Sequence, residues 1–344
     1  MNRLPFNARL MCGVFLGIAI NATCAAAPVA ASVQPAAQRH QALQVQLTAL
    51  AQRALPGQIG IAVMDPRTGE TWGINQHTAF PLMSVFKAPV AAAVLAQVDA
   101  GHYQLNQTVS LSREDLVEGS AVPSVGDALQ AGRTTFELRE LLFGAVAQSD
   151  NTAVDALTRL LGGPARVTAY LRSKRISGMH IETDERGFEY EANNLAPGQV
   201  LPKNETAEQT LAREKAGYAA VLADQRNQST PVAAIDFLDK LNREQLLSPS
   251  STDLLIAMMR KQTLPSRLRG GLPAGFELAD KCGTTSSVDG RTAVWNDIGI
   301  VTGPNGRQLM IAVFLKDSRA SREARDQLIA DVAKAAIAGV YRSN

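Results

Sequence analysis

The chain has 344 residues, 46% of them hydrophobic and 19% charged, with 26 Gly, 16 Pro and 3 Cys. That apolar fraction excludes a wholly disordered or fibrous chain, and the length allows one large or two medium domains. A net charge of +2 shows no basic excess of the kind a nucleic-acid binder carries.

Arg3 and Arg9 precede the apolar run Leu10–Ile20, and the small residues Thr23-Cys-Ala-Ala-Ala27 follow it. A positive start, roughly 7–15 apolar residues and small residues behind them read as a secretory signal within residues 1–31. The run falls short of the roughly 20 residues of a membrane span, so the expectation is a secreted or periplasmic protein without stable membrane insertion. Without Arg3 and Arg9, basic and acidic residues balance at 32 each. Cys12 and Cys24 fall in the leader, which leaves Cys282 alone and no internal disulfide. Residues 32–43, rich in Ala and Gln, read as a flexible linker.

Residues 44–54 read as a helix and Gln58–Met64 as a buried strand, turned through Asp65-Pro-Arg-Thr-Gly69 into a second short strand. From Ser84 to Arg269 the pattern is mainly helical. Lys87–Ala100, Thr134–Gln148, Asn151–Leu161, Asp236–Leu241 and Thr252–Lys261 repeat apolar residues at spacings of three and four. The period then changes. Phe276–Cys282, Asp297–Thr302 and Gln308–Lys316 read as strands, with Gly303-Pro-Asn-Gly306 as a hairpin turn. A helix from Arg322 to Tyr341 closes the chain. The prediction is an α/β (α+β) fold in one domain, residues 44–344. Its antiparallel sheet comes from both chain ends (44–83 and 270–344), and a mainly helical lobe, 84–269, is inserted between them. A cleft between the lobes is the natural place for a site.

Three elements could carry chemistry. Ser84 and Lys87 stand three apart at the start of an apolar helix, on one face. A serine hydroxyl becomes a nucleophile only when a neighbour takes its proton, and a lysine amine in a partly buried pocket can help. Gln148-Ser149-Asp150-Asn151 lies between two apolar helices, and Lys281-Cys282-Gly283-Thr284 ends a strand. Each has a bland reading on its own: a capping serine before a solvated lysine, ordinary helix caps, an edge-strand lysine.

Together and in this order, they resemble the Ser-x-x-Lys, Ser-Asp-Asn and Lys-Thr-Gly motifs of the class A serine β-lactamases and the related penicillin-binding proteins. The resemblance runs from about residue 44 to 342. Flanks agree as well, among them Phe80-Pro-Leu-Met, Gln148-Ser-Asp-Asn-Thr-Ala-Val-Asp155 and Gly271-Leu-Pro-Ala-Gly275. A fourth element, Glu189-Tyr-Glu191-Ala-Asn193, is similar to the Glu-x-Glu-x-Asn pattern of the class A omega loop. The family's fold and a β-lactam substrate follow as implications. Ser84 would attack the lactam carbonyl, with the oxyanion between the backbone N–H groups of Ser84 and Thr284. Lys87, or Glu189 through water, would take the proton. Ser149 would protonate the leaving nitrogen, and Lys281 would supply positive charge beside it. Glu189 would then activate the deacylating water with Asn193, leaving Glu191 a structural role. Asn151, Asn193, Cys282, Gly283 and Thr284 would bind substrate. No cofactor is implied, no metal either, since His40, His77, His102 and His180 lack ligand spacing. A monomer is the default.

Two departures stand out. Cys282 occupies the place of a threonine whose hydroxyl would donate more strongly than a thiol, and Arg322 or Arg325 could make up the charge. Residues 203–228 read as an inserted amphipathic helix, opened by the capping box Thr206-Ala-Glu-Gln209, with Leu211, Tyr218, Val221 and Leu222 on one face. It would brace the omega loop or reshape the cleft as a lid. Gly119 also lies near where many relatives place an aromatic residue. The leading expectation is β-lactam hydrolysis. A D-alanyl-D-alanine carboxypeptidase or other penicillin-binding protein, or a catalytically degenerate sensor, stands as the alternative.

Overall fold

The computed structural model describes residues 36–341 except 265 and 266. The expected export signal lies outside them. Residues 36–43, expected as linker, are instead the first turns of helix α1 (Ala36–Gln52). The reason is packing: Leu43 joins Leu47 in a buried pair that belongs to the core against the last helix, α11 (Arg322–Tyr341).

In chain order the strands are β1 (Gln58–Asp65), β2 (Glu70–Ile74), β3 (Phe80–Pro81), β4 (Thr108–Ser110), β5 (Thr135–Glu137) and β6 (Met179–Ile181). They continue as β7 (Asn227–Ser229), β8 (Glu277–Thr284), β9 (Ser287–Val288), β10 (Arg291–Thr302) and β11 (Gln308–Ser318). The main sheet is antiparallel in the order β2-β1-β11-β10-β8, with β9 paired to β10. Both ends of the chain build it, as expected. Gly303–Gly306 forms the β10–β11 hairpin turn, closed by bonds between Gly303 and Arg307 and from Gly306 N–H to Gly303 C=O.

Alternation sorts the sheet's side chains. Ile59, Ile61 and Val63 of β1 and Leu309, Ile311, Val313 and Leu315 of β11 face α1 and α11. Met310, Ala312 and Phe314 point the other way, into the core shared with the helical lobe. Each such aliphatic side chain stabilises the fold by about 1.5–3 kcal/mol when fully buried.

The helices after α1 are α2 (Lys87–Asp99), α3 (Ser124–Gln130), α4 (Leu138–Ala147), α5 (Asn151–Leu161), α6 (Pro164–Ser173), α7 (Glu185–Ala192), α8 (Ala207–Ala223), α9 (Pro231–Asn242) and α10 (Pro249–Arg260). Helix α2 is apolar on every side from Ala88 to Leu95, and it packs at the centre of the lobe against α4, α5, α6 and α10. Its buried position is what carries Lys87 inside. The helix expected from Thr134 starts only at Leu138, because Glu137 and Glu140 form a capping box and residues 135–137 pair with β4. Among the described residues no helix is long and apolar enough to cross a membrane.

Candidate active site

Ser84 lies in a tight turn, Met83–Phe86, that runs directly into α2. Met83, just before it, holds φ at 48°, a left-handed conformation that costs a non-glycine residue free energy and survives only where the surroundings enforce it. Two contacts do so. Asn296, fully buried on β10, donates to the carbonyls of Pro81 at 2.7 Å and Leu82 at 3.2 Å, pinning the segment to the sheet. On β8, a Cβ at Gly283 would sit 2.5 Å from Leu82 O and 3.2 Å from Ser84 N, so only glycine lets this strand close on the serine. The nucleophile is therefore held by backbone contacts rather than by its own side chain.

Beneath it lie two buried ammonium groups. Lys87 Nζ donates to Ser149 O at 2.8 Å, Ser149 Oγ at 3.3 Å and Asn151 Oδ1 at 2.6 Å. Lys281 Nζ donates to the same Ser149 Oγ at 3.2 Å, to Gln262 Oε1 at 3.3 Å and to Cys282 O at 3.1 Å. Burial pulls Lys281 down to about 8, with the nearby Lys87 charge acting in the same direction and the Cys282, Asp280 and Asp297 groups opposing it. Ser149 is itself left-handed at φ 57°. Its position follows from Asp150, which caps α5 through Ala153 N–H at 2.7 Å and accepts from Val125 N at 2.9 Å and Gly126 N at 3.2 Å. Asn151 gives one Nδ2 hydrogen to Glu118 O at 2.8 Å, which leaves its second for a ligand.

The carboxylate at the serine lies one helical turn before the one expected there. Glu185, not Glu189, has the carboxylate on Ser84: Ser84 Oγ donates to Glu185 Oε1 at 3.4 Å, and Lys87 Nζ pairs with the same oxygen at 3.0 Å. Glu185 is the first residue of α7, and its backbone N–H donates to Asp155 at 2.8 Å while that of Arg186 donates at 2.9 Å. Asp184 supplies the helix cap to Gly187 N–H at 2.8 Å. The run therefore forms a capped helix within the segment that resembles the omega loop. Glu189 and Asn193 lie later on the same segment and line the same cavity, Asn193 donating to Glu189 O at 3.0 Å. Glu191, given a structural role above, pairs with Arg226 at 2.9 Å. Burial, then Glu118 and Glu185, raises Glu189 above the usual carboxylate range against a smaller opposing pull from Arg186. Burial, helped by Asp184 and Glu185, pushes Asp155 up to about 8.

On the opposite side, Arg267 was missed by the sequence reading, because nothing in its local pattern separates it from a surface arginine. It is only 6% exposed, donates to Thr284 Oγ1 at 2.6 Å and to Asn296 O at 2.7 Å, and stacks at 3.9 Å over Trp295. Arg322 lines this part of the cleft as expected, whereas Arg325 lies 4.4 Å from the Trp295 ring centroid. Thr284 Oγ1 accepts from Arg267, so its own hydrogen is available to a ligand. Cys282 is 3% exposed, and burial raises its thiol, which keeps it neutral and unreactive.

The α7 segment, α8 and β8–β10 enclose a cavity of about 340 Å³ that opens onto Ser84 and Glu185. Val221 on α8 is buried with Met83 and Val294, and Tyr218 and Leu222 pack beside them. Leu211, expected on that face, is 37% exposed. The capping box Thr206–Gln209 forms as expected. Helix α8 sits so close to the end of α7 that a Cβ at Gly217 would lie 2.0 Å from Ala192 O. Among the described residues no group of three His, Cys, Asp or Glu is placed to hold a metal ion.

A nucleophile, two buried lysines and a carboxylate in one cleft agree with what comparison with known proteins shows. A family model described as the β-lactamase enzyme family matches residues 42–340. The chain belongs to that family. It is 35% identical over 279 residues to the extended-spectrum β-lactamase PER-1 of Pseudomonas aeruginosa, covering 81% of each chain. It is 30% identical over 283 residues to the β-lactamase VEB-1 of the same organism, covering 82% of this chain and 85% of that one. Among solved structures, a β-lactamase from Chitinophaga pinensis aligns with TM-score 0.71 and 31% identity, over 85% of this chain and 97% of that one. A class A β-lactamase of the reconstructed last common ancestor of Gram-negative bacteria aligns with TM-score 0.70 and 34% identity, over 86% and 98%. This member of the family is thus class A in fold and in the arrangement of its motifs.

Proposed function

We propose that this class A enzyme hydrolyses β-lactams through an acyl-serine and that Glu185 is the base of the hydrolytic half. The observation that carries the reading is one oxygen, Glu185 Oε1, within 3.4 Å of Ser84 Oγ and 3.0 Å of Lys87 Nζ. A serine hydroxyl that donates to a carboxylate has a route for its proton.

The steps follow. Ser84 Oγ attacks the lactam carbonyl and its proton passes to Glu185 Oε1. The oxyanion forms between the N–H groups of Ser84 and Thr284, which β8 brings alongside the nucleophile through Gly283. Ser149 Oγ, touched by both Lys87 and Lys281, gives its proton to the lactam nitrogen as the C–N bond breaks and is reprotonated from Lys87, which regains a proton from Glu185 and frees that carboxylate for the second half. Glu185 then takes a proton from water, whose oxygen attacks the ester; collapse returns the proton to Ser84 and releases the ring-opened acid. The substrate's ring carboxylate goes to the Thr284 hydroxyl and the positive field of Lys281 and Arg267. Its side-chain amide goes to Asn151. Export of the chain and action as a monomer complete the reading.

Nitrocefin turnover followed beside intact-mass spectrometry tests it. Wild type should turn over with no lasting adduct. The Ser84→Ala variant should lose turnover and acquire no mass. A stable adduct without turnover in the wild type would overturn the hydrolytic reading in favour of an acyl-binding relative.

A further inference from the structure

The cleft is electrically lopsided. On one side of Ser84, the cavity of about 340 Å³ is lined by four carboxylates, Glu118, Glu185, Glu189 and Glu214, and by no lysine or arginine. Glu185 is neutralised by Lys87. Among the described residues, the side chains of Glu118, Glu189 and Glu214 have no salt bridge, and Glu118 is exposed at the rim while the other two are half-buried. They come from three separate segments: the loop before α3, helix α7 and helix α8. On the other side of Ser84, the cleft is lined by Arg267 and Arg322, with Asp326 pairing to the first at 3.2 Å. The catalytic serine lines both parts.

A bicyclic β-lactam places its ring carboxylate and its acyl side chain on opposite sides of the reacting carbonyl. With the carboxylate on the arginine side, the side chain lies in the acidic cavity. We propose that Glu118, Glu189 and Glu214 make this enzyme select β-lactams whose acyl side chain carries a positive charge and discriminate against those whose side chain is anionic. This rests on the β-lactamase reading above and names the substrate class within it. The physical cause is that unpaired carboxylates in a partly enclosed space attract an ammonium and repel a carboxylate through a medium less screening than water. Burial holds Glu189 above the usual carboxylate range, and the Glu118 and Glu185 charges add to that rise. Glu214 and Tyr218 give α8 a share in the wall, so the helix read from the sequence as a brace or lid acts as a filter for charge.

Three penicillins that differ only at one side-chain carbon provide the test: ampicillin with an ammonium, benzylpenicillin with hydrogen and carbenicillin with a carboxylate. Steady-state kcat/KM at about pH 6.5 should fall in that order, by roughly three- to tenfold per step. The differences should appear in KM more than in kcat and shrink at about 1 M salt. Glu214→Gln should reduce the ampicillin-to-carbenicillin ratio severalfold, and Glu118→Gln should do the same. Glu208→Gln, an exposed change on α8 outside the cavity, should keep the wild-type ratio. Turnover of all three at rates independent of side-chain charge, or a ratio unmoved by both cavity variants, would overturn the proposal while leaving the hydrolase reading intact. Turnover of none would sink the hydrolase reading instead.

Discussion

The two walls of the active site are built on different principles. The Ser84, Lys87, Ser149 and Lys281 wall is buried, shares hydrogen bonds between neighbours and is fixed by the sheet and by α2 and α5. The Glu185, Glu189 and Glu214 wall hangs on two helices, α7 tied to Asp155 of α5 at its start and both packed around a small cluster, Met83, Val221, Ala293 and Val294. Chemistry in the first wall is over-determined, because Lys87, Ser149 and Lys281 each have several partners. In the second it depends on which turn of a short helix meets the nucleophile.

The largest effect that can break this comparison is the exchange of the two glutamates. Glu185→Gln removes the only carboxylate in contact with Ser84 among the described residues, and deacylation should slow by about 10²–10⁴-fold, with an acyl-enzyme that persists in the mass spectrum. Glu189→Gln should change kcat by less than about tenfold, since that side chain lines the cavity without touching the serine. Equal losses, or the reverse order, would return the base to Glu189.

Why the sequence pointed to Glu189 is instructive. The first wall was legible because its motifs are short, rigid and joined to strong periodic elements: Ser84 and Lys87 precede an all-apolar helix, and Lys281 ends a buried strand. Even the bland reading of Asp150 as a cap holds, since it caps α5. The omega segment fits the pattern only at Glu189-Tyr-Glu191-Ala-Asn193, whereas Glu185, four residues earlier, is followed by Gly187 and Glu189 and does not fit it. Only the bond from Asp155 to the start of α7 decides between them, and that contact joins residues thirty apart. Arg267 and Asn296 were illegible for a similar reason. Their importance lies in tertiary partners, Thr284 for one and the carbonyls before Ser84 for the other. The start of α1 went unrecognised because its buried pair, Leu43 and Leu47, is recognisable only against α11.

Arg267→Ala sharpens the contrast from the opposite side. It leaves Thr284 without its donor and removes the buried positive charge beside the proposed carboxylate site, so kcat/KM for penicillins should drop by about 10–10²-fold, mostly through KM. Arg267→Lys should recover only part of this, because an ammonium cannot bridge Thr284 and Asn296 while stacking flat on Trp295. A full recovery would reduce Arg267 to a point charge.

A smaller effect concerns the anchor of α7. Asp155 titrates near 8 in the folded protein against 3.8 for an ordinary aspartate. The folded state therefore holds a proton that the unfolded chain has released, and stability falls as pH rises from about 4 to 8. Asp155→Asn keeps a carbonyl acceptor and removes the titration, so the drop in Tm between about pH 5.5 and 8 should be smaller in the variant than in the wild type. Parallel Tm profiles would show that Asp155 carries no such proton.

The smallest expected change tests the one motif position that departs from the family. Cys282 lies on β8 with its thiol buried, and a neutral thiol is a weak donor to the carboxylate proposed to bind at Thr284 and Arg267. Cys282→Thr is close in volume and adds a hydroxyl at the cleft. One further hydrogen bond to an anion is worth about 1 kcal/mol or somewhat more, so kcat/KM for benzylpenicillin should rise by about three- to tenfold. The gain should be larger in the Arg267→Ala background, where the hydroxyl has less competition for the carboxylate. An unchanged rate in both backgrounds would show that the Thr284 side of the cleft receives the carboxylate without help from position 282.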